Sequence, residues 1–215
     1  MMKLYTYFRS SAAYRVRIAL NLKQLDYEAI PVHLVRNGGE QRQADYLALN
    51  PAGLVPTLVD DGNVLQQSLA IIEYLDEVHP QPALLPGSPA ERARIRAIAQ
   101  SIACDIHPVN NLRVLRYLVH ELGVNDAQKN AWYRHWIAIG LSAVESMLAA
   151  DARTGLFCHG DTPTLADCCL VPQVFNAQRF DCDLSAMPTV MRIVERCATL
   201  DAFQRAAPGQ QPDAE

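Results

Sequence analysis

Two adjacent hydroxyls, Ser10 and Ser11, stand where an aromatic-rich segment, Lys3 to Phe8, gives way to a run whose apolar residues Tyr14, Ile18 and Leu22 recur every four positions. That spacing reads as strand, turn and helix, with both hydroxyls at the helix start. Unpaired N–H groups and the positive end of the helix dipole stabilise an anion at such a place, a thiolate included, and a serine hydroxyl adds a donor. Capping the helix is the other use of a serine there. Leu54-Val55-Pro56-Thr57 sets a proline directly before a strand, a candidate cis peptide whose preceding residue, Val55, can pair through its backbone with an extended ligand. Gln67-Ser68 marks another helix start, able to hold a carboxylate. Three devices of this kind in one small domain suit a short, acidic peptide.

The elements that position these residues follow from the patterning. Tyr27 to Val32 is a second strand, and Gln43 to Leu49 a short helix closed by Asn50-Pro51. Thr57 to Val59 and Val64 to Gln66 are two further strands, joined through the Asp-Gly turn of Asp60-Asp61-Gly62-Asn63. Ser68 is expected as the N-cap of a helix carrying Leu69, Ile72, Leu75 and Val78. The order βαβαββα is that of a thioredoxin-like domain, residues 1–79. Four prolines between Pro80 and Pro89 can neither continue a helix nor pair inside a sheet, so 80–89 is a linker. Beyond it, residues 90–215 read as a helical domain with segments Glu91–Leu122, Asp126–Ala149, Thr164–Arg179 and Pro188–Leu200. Thr164-Leu165-Ala166-Asp167 matches a capping box. Pro208 to Glu215 is expected to be poorly ordered unless it docks. The fold class is an α+β thioredoxin-like domain followed by an all-α domain.

Composition narrows the function. A chain of 215 residues, 50% hydrophobic, can bury a sizeable core, and a net charge of -4 lacks the clustered basic face that nucleic acid requires. Met1-Met2-Lys3-Leu4-Tyr5 begins no signal peptide, and no apolar run is long enough to cross a bilayer, so a cytoplasmic enzyme with no membrane partner is expected. Cys104, Cys158, Cys168, Cys169, Cys182 and Cys197 include no Cys-x-x-Cys pair; they read as small buried hydrophobes, with no metal site.

The run Ser10-Ser11-x-x-x-Arg15-Val16-Arg17-Ile18-Ala19-Leu20 resembles the signature of the zeta class of glutathione transferases. Ala48-Leu49-Asn50-Pro51, Val55-Pro56-Thr57-Leu58, Gln67 to Leu75, Asp105-Ile106-His107-Pro108 with Asn111-Leu112, Leu170-Val171-Pro172-Gln173 and Asn176-Ala177-x-Arg179-Phe180 are similar to the family's other runs, so the resemblance covers nearly the whole chain. It departs at Ala12, where the family signature usually has cysteine, so no thiol can act from that position.

The resemblance implies glutathione as cofactor, held by Ser10, Ser11, Ala12, Ala13, Tyr14 and Arg15, with Ser11 as hydroxyl partner of the sulfur. Gln41, Val55, Gln67 and Ser68 would hold its peptide and γ-glutamyl parts, and His107, Asn111, Leu112 and Arg113 would approach from the helical domain. Arg9, Arg113 and Arg179 are candidate grips for substrate carboxylates, since a guanidinium binds them bidentately; surface solvation is the competing role. The implied reaction is cis-trans isomerisation of a small-molecule maleyl keto acid: a thiolate adds to the double bond, the bond left single rotates, and elimination follows. Maleylacetoacetate in homogentisate catabolism is the expected substrate. The alternatives are maleylpyruvate in gentisate catabolism and glutathione transfer to small α-halo acids. A homodimer is implied by the resemblance alone.

Overall fold

Short alternating segments rich in Tyr, Val and Ile build a four-stranded sheet in the order β2-β1-β3-β4, from β1 (Met2–Thr6), β2 (Tyr27–Pro31), β3 (Thr57–Asp60) and β4 (Asn63–Gln66). The first two strands run parallel, with Leu4 opposite Ala29, and the crossover between them is helix α1 (Ser11–Leu22). The pairs β1·β3 and β3·β4 are antiparallel, and Asp61 and Gly62, both at positive φ, make the tight turn of the second. Helix α2 (Ala44–Leu49) precedes β3, and α3 (Ser68–Val78) follows β4. Leu4, Val16, Ile18, Leu20, Leu58, Ile71, Ile72 and Leu75 lie fully buried and form the core beneath the sheet elements. The thioredoxin-like order expected from the sequence is the order observed.

The computed structural model describes residues 1–215 and divides into two units, one of Met1–Leu85 with Ala198–Glu215 and the other of Pro86–Cys197. The division falls inside the proline-rich stretch, but the expected assignment of 90–215 to one helical domain is corrected at its end. Helix α10 (Asp201–Ala206) packs against α1, burying Phe203 and Ala206, because α1 carries apolar residues on more of its circumference than the sheet and α3 can cover. The segment after it docks as well.

In the second unit Ser88 caps α4 (Pro89–Gln100), so the last proline of the expected linker is the first residue of a helix, where its missing N–H costs nothing. The expected continuous segment 91–122 is interrupted. Ser101–Ile106 is wound as a π-helix, α5 (His107–Val109) follows, and α6 (Leu112–His120) starts afresh on an Asn111 cap. Helix α7 (Asp126–Ala149) keeps its expected bounds. At its Gly140 a Cβ would lie 2.2 Å from Ile106 Cγ1, so the absent side chain is what admits the π-helical turn. Helices α8 (Leu165–Arg179) and α9 (Pro188–Ala198) complete the unit. The buried Asp167 accepts the Thr164 N–H and hydroxyl and the Cys158 N–H, whereas its own N–H turns back to the Thr164 carbonyl. Thr164 and Asp167 thus form the expected capping box, each side chain meeting the other's backbone N–H, and the Thr164 hydroxyl donates to the carboxylate as well.

Candidate active site

In the first unit β1 ends in a turn closed by the Ser10 N–H donating to the Tyr7 carbonyl at 2.9 Å. Ser10 is the N-cap of α1, and its Oγ accepts the Ala13 N–H at 3.2 Å. No acidic residue stands in the first turn of the helix to cancel its positive end. Ser10 is half-buried, while Ser11, the first helical residue, is only 4% exposed. Ala12 is half-buried; Ala13, Tyr14 and Arg15 are buried. Arg15 reaches from α1 to the start of α3 and donates to Ser68 Oγ at 3.2 Å, joining two of the expected anion-holding positions through one buried guanidinium. Arg9 is exposed; its guanidinium donates to the Tyr7 hydroxyl and lies over the Phe8 ring.

The Val55–Pro56 peptide is cis. Behind it the Leu54 carbonyl accepts from the Tyr46 hydroxyl at 2.7 Å and from Asn50 Nδ2 at 2.8 Å, and Thr57 Oγ1 is tied to the same two groups. Burial pushes the Tyr46 phenol upward, which keeps it protonated as a donor. These three polar side chains are the residues sequence reasoning missed. The signals were Asn50 before a proline and Thr57 at the first position of a strand.

Gln67 was expected to precede an N-cap, but it occupies the N-cap position itself, with φ 67° and ψ 116°; Ser68, expected as the cap, is the first residue of α3. Only glycine adopts such a backbone freely, and a residue held there costs about 1–3 kcal/mol, a cost that clusters at ligand-holding positions. Gln41 is 6% exposed in the short turn Glu40–Arg42; its Nε2 donates to the Leu34 carbonyl, and its Oε1 is buried with no hydrogen-bond partner. A buried acceptor of that kind calls for a donor from outside the chain.

In the second unit His107 is half-buried at the end of the π-helical turn, Asn111 Oδ1 accepts the Arg113 N–H at 3.1 Å, Leu112 is half-buried and Arg113 is exposed. Arg179, at the end of α8, donates to Asn176 Oδ1 at 3.2 Å and lies near the Phe180 ring, which stacks on Tyr133. Among the cysteines, Cys158, Cys168, Cys169 and Cys197 are buried as expected, but Cys104 is exposed on the π-helical turn and Cys182 partly so.

A thioredoxin-like unit that presents a capped helix start, a cis-proline loop and a left-handed N-cap, in a chain that continues into an all-helical unit, is the architecture of a glutathione transferase. The family model for the glutathione S-transferase N-terminal domain matches residues 9–78. A probable maleylacetoacetate isomerase of Vibrio cholerae is 56% identical over 211 residues, covering 98% of this chain and 97% of its own. The holo structure of a maleylpyruvate isomerase, a bacterial zeta-class enzyme, matches with TM-score 0.95 at 50% identity, covering 99% and 100%. A maleylacetoacetate isomerase from Methylobacterium extorquens AM1, solved with malonate and glutathione bound, matches with TM-score 0.95 at 44% identity, covering 99% of each chain. The chain belongs to the glutathione transferase family, in the zeta class with the maleylacetoacetate and maleylpyruvate isomerases.

Proposed function

We propose that the chain is a glutathione-dependent cis-trans isomerase that converts maleylacetoacetate to fumarylacetoacetate, as a cytoplasmic homodimer. The observation that carries this reading is the start of α1. Ser10 Oγ already accepts the Ala13 N–H, so its own proton remains to be donated, and it stands half-buried at the positive end of a 12-residue helix with no acid in the first turn. Glutathione, when bound, supplies the thiol whose reversible addition to the maleyl double bond lets that bond rotate. Only about a few per cent of a free thiol is ionised at neutral pH, so the task of this helix start is to favour the ionised form.

The resemblance assigned the sulfur to Ser11. Its 4% exposure, against the half-buried Ser10 with a hydroxyl proton to spare, moves the proposal to Ser10 and leaves Ser11 to shape the helix start. Ser68 and Gln67, at the start of α3, would hold the γ-glutamyl carboxylate, with Arg15 stabilising that end through Ser68. The Val55 backbone would pair with the peptide, and Gln41 Oε1 would accept a ligand N–H. Arg9 has its guanidinium aimed by Tyr7 and Phe8, a pre-organised clamp for a substrate carboxylate. For the second unit we carry over the roles that the resemblance implies: His107, Asn111, Leu112 and Arg113 toward glutathione, and Arg179 toward the substrate.

A second reading, maleylpyruvate as substrate, is supported by the matched isomerase of that acid at 50% identity. Ultraviolet monitoring of each acid with and without glutathione tests both. Isomerisation of maleylacetoacetate only with glutathione is the expected result; a clear preference for maleylpyruvate reverses the order, and turnover of neither removes the isomerase reading.

A further inference from the structure

The segment 208–215, expected to be poorly ordered unless it docks, does dock and is tied to two loops of the first unit. Asp213 Oδ2 accepts the backbone N–H of Phe8 at 3.0 Å, two residues before Ser10. The same stretch is held from beneath by Arg17, whose fully buried guanidinium donates to the Tyr7 and Phe8 carbonyls, to Thr6 Oγ1 and to the Ala206 carbonyl. Glu215 Oε1 meets Arg36 at 2.6 Å and His33 Nε2 at 3.2 Å. His33 Nδ1 accepts the N–H groups of Val35 and Arg36, so Nε2 carries the ring proton that Glu215 accepts, and the ring sits edge-on to Tyr7. Gln211 Nε2 donates to the Arg205 and Ala207 carbonyls, fastening the segment to the end of α10. The contacts close a circuit around Tyr7 and Phe8, the two residues that set the turn into α1.

We propose that residues 208–215 form a strap, and that Asp213 is a positioning residue which, by holding the Phe8 N–H, fixes the turn that aims the Ser10 hydroxyl. The inference rests on reading the α1 start as the thiolate site. Phe8 is buried, so removing the Asp213 acceptor leaves its N–H without a partner where water does not easily replace it. The turn keeps the Ser10-to-Tyr7 backbone bond and the Arg17 contacts, but Phe8 has lost the acceptor that holds its N–H. Asparagine keeps an acceptor at that position and alanine does not, which separates the hydrogen bond from the charge.

The test uses the full chain with Asp213→Ala, Asp213→Asn and Gln211→Ala. Three quantities are measured: the ionisation of glutathione's thiol on the protein, by thiolate absorbance against pH; kcat and the KM for glutathione; and the melting temperature. Asp213→Ala is expected to raise the pH at which the bound thiol ionises and to lower kcat about tenfold, with the KM for glutathione within about twofold of wild type, the scale expected for one lost charge-assisted hydrogen bond. Asp213→Asn should recover most of both losses. Gln211→Ala, which loosens the strap without touching the Phe8 contact, should move thiol ionisation and kcat in the same direction by a smaller factor, and serves where Asp213→Ala does not fold. Lower melting temperatures with unchanged thiol ionisation and kcat overturn the strap. A wild-type protein that shows no ionised thiol with glutathione overturns the reading of the α1 start, and the strap's role falls with it.

Discussion

Replacing Gln67 should raise stability and lower ligand affinity at once, provided the new residue is glycine. The N-cap of α3 sits at φ 67°, ψ 116°, where a Cβ is strained by about 1–3 kcal/mol. Glycine removes that strain and loses about 0.4–1 kcal/mol through its freer unfolded chain. Alanine removes the amide side chain but keeps the Cβ and the strain. The difference between the two variants therefore isolates the backbone: Gln67→Gly should exceed Gln67→Ala by about 0.5–2 kcal/mol, or roughly 1–8 °C in melting temperature for a chain of this size. Both should weaken glutathione, because each loses the side chain proposed to hold it, and glycine should weaken it more, because the backbone geometry is no longer enforced. Thermal melts with and without glutathione, together with a glutathione titration, read all four quantities. Equal melting temperatures for the two variants would refute the strain argument, and unchanged affinity in both would refute the placement of the γ-glutamyl group.

Three further outcomes are expected. Ser10→Ala should lose the cap on α1, about 1 kcal/mol or 2–4 °C in a thermal melt, and turnover at saturating glutathione should fall further than in Ser11→Ala. Gly140→Ala drives a Cβ against Ile106, so the overpacking cost of about 1–3 kcal/mol should outweigh the helix-propensity gain of about 1 kcal/mol; pairing it with Ile106→Ala should destabilise less than the sum of the single changes, as measured by denaturant unfolding. Hydrogen bonds from Arg153, then Arg94, hold the Asp151 carboxyl well below its ordinary 3.8. A folded-state value below the unfolded one stabilises above pH 4 and fades as pH falls beneath it, so melts between pH 5 and pH 2.5 should lose part of their acid slope in Asp151→Asn.

The element order of residues 1–79 was legible because its signals are local: alternation in the strands, a four-residue period in α1, and Asp-Gly at the hairpin. What was not legible depends on partners far away in sequence. Ser68 looked like a cap from its type alone, and only the backbone reveals that the chain enters α3 one residue earlier through a left-handed Gln67. The segment 91–122 has helical periodicity throughout, yet its π-helical turn depends on the space left by Gly140, a helix away. Of the candidate site, the two helix starts and the cis proline could be read in advance. The Tyr46, Asn50 and Thr57 network behind that proline was marked only at Asn50 and Thr57, and its assembly from a helix, a loop and a strand has no periodicity to announce it.

The return of residues 198–215 to the first unit bears on synthesis as well as on architecture. When Met1–Leu85 has left the ribosome, the face of α1 that will receive Phe203 and Ala206 is uncovered, and Arg17 lacks the carbonyl of Ala206, a hydrogen bond that spans 189 positions. The span that the family model matches, 9–78, therefore lacks part of the cover that α1 has in the whole chain. Pro86–Cys197, continuous in sequence, can close its core before residues 198–215 are made, whereas the sheet unit, begun earlier, is sealed only once they are. Chains cut short before Asp201 should consequently appear as products with a folded helical unit and a protease-sensitive sheet unit.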